Sequence, residues 1–435
     1  MKTRVSNTPA VATMLIGVLF FVFGFVTWLN GPLITFVKLA FRLDDVSAFL
    51  VPMAFYMSYV FLALPAAAIL RRTGMKRGMT LGLFVMAAGA IAFGQFAFMR
   101  IFPGALCGLF VIGGGLAILQ TAANPYISII GPIETAARRI AVMGICNKVA
   151  GILAPIVIGT MVLRGVGEFD AAVRAAPTEA ARELLLDGFA ARIHGPYLIM
   201  AGILGLMGLL VLGSPLPDIR TQDAGGSGLA DHRGIRDFPH LWLGVLCLFL
   251  YVGVEVMAGD AIGAYGQAFG LPVERTAFFT SFTLAAMLVG YLAGLVLVPR
   301  FVSQQRYLAG CAILGGTLVV CACLTRGYVS VGFVAALGFA HAMMWPAIFP
   351  LAINGLGRHT ETGSAMMIMA ICGGAIMPQL FAVLKQHAPF QLVFLSLMLP
   401  AYAYILFFAV RGYRVGSERV ARPGVPDARA EGSLQ

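Results

Sequence analysis

Residues 71–100 read RRTGMKRGMTLGLFVMAAGAIAFGQFAFMR. From Gly78 to Met99 there is no charged side chain, and the run is bracketed by Arg71, Arg72, Lys76 and Arg77 before it and Arg100 after it. At 1.5 Å per residue, a helix of that length crosses the roughly 30 Å of hydrocarbon in a bilayer. Apolar and polar residues do not alternate with period two, as a barrel strand requires. Since only helices and closed barrels satisfy their own backbone in lipid, the run is a membrane helix.

Working outward, uncharged or nearly uncharged runs recur over 10–37, 46–70, 101–128, 140–163, 195–217, 241–270, 276–298, 307–325, 327–355, 362–384 and 388–410, making twelve with 78–99. The 435 residues are 60% hydrophobic and 11% charged, against about 25% charged in a soluble domain. The chain has too little polar surface for water. The first run follows Lys2 and Arg4 like a signal peptide, but it is too long and lacks a small-residue cleavage site, so it reads as a retained helix.

The net charge of +11 is explained by topology, and no nucleic-acid partner is expected. With the N-terminus inside, Lys2, Arg4, the 71–77 cluster, Arg138, Arg139, Arg300, Arg306, Arg358 and the tail arginines all face the cytoplasm. The outer loops hold mainly Lys38, Arg42, Arg100, Arg275, Arg326 and Lys385. Positive charge inside fixes orientation, so both termini are expected in the cytoplasm. All seven cysteines fall in apolar runs and read as small hydrophobes rather than disulfides or metal ligands.

Two segments break the pattern. Residues 164–194 intersperse acids and arginines with alanine and leucine, predicting an amphipathic helix on the outer surface. Residues 218–240 are rich in Gly, Asp and Arg and read as a cytoplasmic linker between a first half, 1–217, and a second, 241–410; residues 411–435 read as a disordered cytoplasmic tail. The halves overlay weakly at an offset of 229: Leu19, Phe20, Gly24, Arg71 and Arg77 fall on Leu248, Phe249, Gly253, Arg300 and Arg306. Six plus six parallel helices are the plan of major facilitator carriers, whose site lies between the halves near mid-membrane. The expected fold is therefore all-α, twelve transmembrane helices in two pseudo-symmetric halves. The 52 glycines suit helices that approach closely, and Gly113-Gly114-Gly115 reads as helix packing, not a phosphate cradle.

Membrane-embedded ionisable groups are costly, and each is a functional candidate. Glu255 and Asp260 lie in the seventh run near Gly253, Gly259 and Gly263, where a helix can bend or break. Lys148 in the fifth run is the cation able to pair with either. Such a pair serves coupling or gating, or merely locks the halves together. Gln120, Asn124, Asn147, Asn30 and Asn354 offer the fixed amides that a sugar requires, while Trp345 offers an aromatic face. Asn124, Gln120 and Asn147 have a second reading, capping a neighbouring helix or satisfying backbone freed by Pro125; Trp345 has one as a packing or interfacial residue. His341 reads either as a proton relay or as a hydrogen-bonded structural histidine. Trp28 and Trp242 read as interfacial anchors.

The stretches Gly24-Phe25-Val26-Thr27-Trp28-Leu29-Asn30-Gly31-Pro32, Gln120-Thr121-Ala122-Ala123-Asn124-Pro125-Tyr126 and Gly144-Ile145-Cys146-Asn147-Lys148-Val149-Ala150-Gly151 resemble the fucose/galactose/glucose symporter family of the major facilitator superfamily, most of all its bacterial glucose/galactose branch. Tyr251-Val252-Gly253-Val254-Glu255-Val256 and Met344-Trp345-Pro346-Ala347-Ile348 agree with it. The resemblance spans roughly residues 12–410. It implies inward sugar transport by alternating access, coupled to a cation, in a bacterial inner membrane. Fucose-type members carry carboxylates where this chain has Gly31 and Gln120. At the repeat offset Asp260 falls opposite Gly31, so one reading moves that carboxylate to the seventh helix. The loop 71–77 likewise resembles the superfamily's second inner loop, with Arg71 where an aspartate is usual.

The sequence thus predicts a non-enzymatic, ATP-independent hexose carrier with no cofactor, acting as a monomer in the lipid bilayer. Na+ or H+ would be cotransported, with a possible Na+ near Glu255 and Asp260. An uncoupled sugar facilitator and a non-transporting sugar sensor are the alternatives.

Overall fold

The computed structural model describes residues 8–129, 136–216, 234–298 and 300–416. Most of the expected linker and tail lies outside them. Within them every regular element is helical. Eleven helices are long and apolar enough to cross a membrane, and the pair Gly327–His341 and Met344–Ile353, bent by 40°, supplies the twelfth span.

The first span is Thr8–Trp28 continued by Asn30–Ala40. Leu50–Thr73, Met75–Phe98, Phe102–Ile129 and Ala136–Met161 are the second to fifth, and His194–Gly213 is the sixth. The seventh is Pro239–Gly259 with Ile262–Gln267; Phe279–Leu297 and Gln304–Leu324 are the eighth and ninth. After the bent tenth, the eleventh runs Thr360–Met369 through one 3-10 turn into Gly373–Leu384, and Phe390–Val410 is the twelfth. The first six spans meet the last six mainly where the fifth packs on the eighth and the second on the eleventh.

Three spans are broken, and sequence explains each break. Pro32 and Pro346 sit in the first turn of the second piece of their spans, where the ring would clash with the carbonyl four residues back, ending the helix before it. Asn30 Nδ2 then donates to the Thr27 carbonyl at 3.1 Å. In the seventh span the helix stops at Gly259, as the glycines predict. The freed carbonyls of Ala258 and Gly259 accept from Thr283 Oγ1 and Thr280 Oγ1 of the eighth span, both at 2.8 Å.

Glycine lets other backbones touch. A Cβ on Gly115 would come within 2.6 Å of the Gly82 carbonyl oxygen and of Met86 N, and one on Gly113 within 2.2 Å of the Phe55 carbonyl oxygen. The triple-glycine run is a seam between the second, third and fourth spans. All seven cysteines are free, and Cys107 is exposed rather than buried.

The expected single helix over 164–194 is two, Val166–Ala175 and Glu179–Ala191. Pro177 separates them, and Thr178 caps the second by accepting from Ala181 N at 3.2 Å. Glu179, Glu183 and Asp187, four apart, form one acidic stripe. It binds Arg42 at 2.9 Å through Glu179, and Arg100 through Glu183 and, at 3.1 Å, Asp187. Both arginines have left-handed backbones, φ 54° and 53°. Each follows a helix end closed by a bond reaching five residues back, Leu43 N to Lys38 O and Ile101 N to Phe96 O, a place usually held by glycine.

Gly115→Leu is expected to destabilise the protein by about 3 kcal/mol, since the seam is backbone on both sides and cannot yield. Thermal unfolding in detergent checks this; an unchanged midpoint would show that the third and fourth spans can part.

Candidate functional site

At mid-chain depth in the fifth and seventh spans, the structure brings together two of the three predicted membrane charges. Lys148 Nζ lies 3.1 Å from Glu255 Oε1, with side-chain exposures of 8% and 12%. The pair joins the first six spans to the last six. Its alternative partner, Asp260, stands apart at the break of the seventh span. Asp260 is buried, its Oδ2 accepts from the Tyr56 hydroxyl at 3.2 Å, and its Oδ1 has no partner.

Asp260 fills space beside Gly31. A Cβ on Gly31 would lie 3.4 Å from Asp260 Oδ1 and 2.6 Å from Thr280 Oγ1. The two positions matched by the repeat offset are therefore neighbours, so a carboxylate from the seventh span abuts a position in the first that has no side chain.

Trp28 is buried rather than interfacial, because the first span continues past it to Ala40. Its ring lies 4.5 Å from Lys148 Nζ, and Nε1–H donates to Asn147 Oδ1 at 3.4 Å. Trp242, by contrast, is exposed near the start of the seventh span, as an interfacial anchor would be.

The other amides divide. Gln120 is half-buried, its Nε2 donating to the Tyr59 hydroxyl at 3.3 Å, and Asn147 and Asn124 are half-buried too. Asn30 is buried at the first break, with its amide on backbone. Asn354 is exposed at the end of the tenth span, where its main-chain carbonyl accepts from His240 Nε2 at 2.8 Å. Trp345 is half-buried and stacks on Phe349 at 5.9 Å. His341 is fully buried at the tenth break: Nε2 meets the Tyr402 hydroxyl at 2.6 Å, Nδ1 has no partner, and its carbonyl accepts from the Tyr251 hydroxyl at 3.3 Å. Tyr56, Tyr59, Tyr251 and Tyr402 are the polar residues that sequence reasoning missed, since a lone tyrosine in an apolar run looks like packing.

A cleft of about 490 Å³ lies elsewhere, between the end of the first span and the hairpin 166–191, lined by Lys38, Arg42, Phe169, Asp170, Arg174 and Arg182 among others. Its cations are already committed to Asp45, Glu179 and Asp170. It is a paired ionic surface.

Comparison with known proteins then settles the family. The Major Facilitator Superfamily pattern matches residues 16–378. The chain belongs to that superfamily. A Brucella abortus protein described as a glucose/galactose transporter is 31% identical over 399 residues, covering 91% of this chain and 92% of that one. The Escherichia coli L-fucose-proton symporter is 26% identical over 376 residues, 85% of this chain and 86% of that protein. A crystal structure of the E. coli fucose:proton symporter overlays with a TM-score of 0.74 at 25% identity, covering 93% and 98% of the two chains. That of a D-xylose-proton symporter, at 13% identity and a TM-score of 0.66, shares the fold. This major facilitator protein is thus a multi-pass membrane transporter and not an enzyme.

Removing one member of a buried pair leaves an uncompensated charge, at a cost of about 3–5 kcal/mol. Lys148→Met is expected to lose that much stability, and the double variant Lys148→Met/Glu255→Gln to recover most of it. Equal melting points for the single and double variants would show that the charges do not depend on each other.

Proposed function

We propose that this protein carries a hexose, glucose or galactose, inward across a bacterial inner membrane by alternating access, coupled to H+ or Na+, with both termini cytoplasmic. The observation that carries the coupling is Asp260, a buried carboxylate with one oxygen unpartnered, packed against Gly31 where fucose-type members carry a carboxylate. A cation is the partner that oxygen lacks. The sugar assignment is supported by the glucose/galactose and fucose relatives and by the half-buried amides Gln120 and Asn147. Among the described residues no three His, Cys, Asp or Glu side chains converge as metal ligands, so a sodium ion here would draw on hydroxyl and carbonyl oxygens beside Asp260.

The halves 1–217 and 241–410 act as the rocking units, and the protein works as a monomer. Gln120 and Asn147 hold the sugar, with Asn124 and Trp345 as further contacts; the amide of Asn30 serves the backbone, and His341 is fully buried against Tyr402. Lys148–Glu255 spans the halves and must part or shift as they rock. For coupling, the cation must bind more tightly when sugar is present, because a ligand moves an equilibrium only through its differential affinity for the two states.

Opposite the chain termini the two units are latched. Asp45 is held at 2.5 Å by Lys38 of the same half and at 2.7 Å by Lys385 of the other, while Gln379 Nε2 donates to the Val46 carbonyl at 3.2 Å. When that side opens, Asp45 keeps Lys38, so the carboxylate is never left unpaired and opening stays cheap.

Proteoliposomes are expected to accumulate labelled glucose or galactose under a proton or a sodium gradient, applied separately, and Asp260→Asn to abolish accumulation. Mere equilibration under every gradient would convert the reading to an uncoupled facilitator, and undiminished accumulation by Asp260→Asn would move the ion site elsewhere. Lys385→Met is expected to raise, about threefold or more, the labelling from the far side of a cysteine placed at Thr35 in a background without native cysteines. Unchanged labelling would remove the latch.

A further inference from the structure

We infer that Trp28 is a positioning residue that transmits sugar occupancy to the Lys148–Glu255 pair, an inference that rests on the carrier reading above. The indole is a wedge between the two halves. A Cβ on Gly151 of the fifth span would come within 2.5 Å of Trp28 Cδ1, and one on Gly259 of the seventh within 2.4 Å of Cζ3. Each wall is flat because its residue is glycine, and the ring is 3% exposed. Trp28 ends the first helical piece, directly before Leu29.

From that slot one side chain governs two consecutive residues of the fifth span. Its N–H holds Asn147 Oδ1, which leaves the amide NH₂ of Asn147 as a donor for a solute hydroxyl. Its face holds the Lys148 ammonium by cation–π attraction, in the position where Glu255 meets it. The bond to Asn147, at 3.4 Å, is long and yields readily. A hydroxyl that engages Asn147 turns the amide and releases the indole. Lys148 then loses one of its two partners, and its hold on Glu255 loosens. Conversely, separation of the halves withdraws Gly259 and frees the ring from the other side. A ring that only filled space would affect stability and every mode of transport alike.

The test uses full-length protein in proteoliposomes with radiolabelled glucose, comparing accumulation under the coupling gradient with glucose-for-glucose counterflow at saturating sugar. Trp28→Phe keeps a ring and loses the N–H; its accumulation is expected to fall at least fivefold while counterflow falls no more than twofold. Gly259→Ala, pressing on the ring from the other half, is expected to give the same split. Parallel losses in both modes with a matching fall in melting temperature would overturn the inference, as would undiminished accumulation by Trp28→Phe. Wild-type protein that takes up no glucose in either mode would overturn the carrier reading, and this inference with it.

Discussion

Hydrocarbon offers no hydrogen-bond partner, so each carbonyl freed by a break in a spanning helix must find one inside the protein. That constraint shapes everything distinctive here. The breaks in the first, seventh and tenth spans do not fall at random: each is repaired by, or adjoins, a polar side chain that has no other reason to be buried. Asn30 mends the first, Thr280 and Thr283 mend the seventh, and His341 with its tyrosine partners sits at the tenth. Polar residues needed for repair, once present at mid-depth, are also the groups able to meet a polar solute.

Charge follows the same logic with larger stakes. A buried ion pair is weak evidence for stability, since desolvating two ions consumes most of what their attraction returns. Lys148 and Glu255 nevertheless sit on different halves, when each could have been replaced by an apolar residue within its own. In the proposed carrier the pair registers how the halves stand, and Trp28, which contacts both Lys148 and Asn147, would extend that register to the neighbouring amide.

Much of this is legible in sequence, and the limits have physical causes. Twelve spans follow from run length alone, and the seventh-span break from Gly253, Gly259 and Gly263. The hairpin 166–191 is misread as one helix because its alternating charges outweigh Pro177. Trp28 is misread as an anchor because the apolar run containing it looks like one helix ending nearby, whereas Pro32 merely interrupts a span that continues to Ala40. The choice of Glu255 over Asp260 as the partner of Lys148 is invisible in one dimension: both lie in the seventh run, five residues apart and so on different faces, and nothing in the sequence says which face meets the fifth span. The tyrosines are beyond reach for a simpler reason. A phenol in an apolar run carries no sign of whether its oxygen has company.

The abutment of Asp260 on Gly31 bears on timekeeping. Tyr56 and Gly31 belong to the leading six spans and the carboxylate to the trailing six, so the surroundings of that oxygen are assembled from both and exist only while they touch. In the proposed carrier, an ion site built across the joint between the halves needs no gate of its own. Its lifetime is that of the contact, and whatever it holds is let go by the same motion that ends the contact.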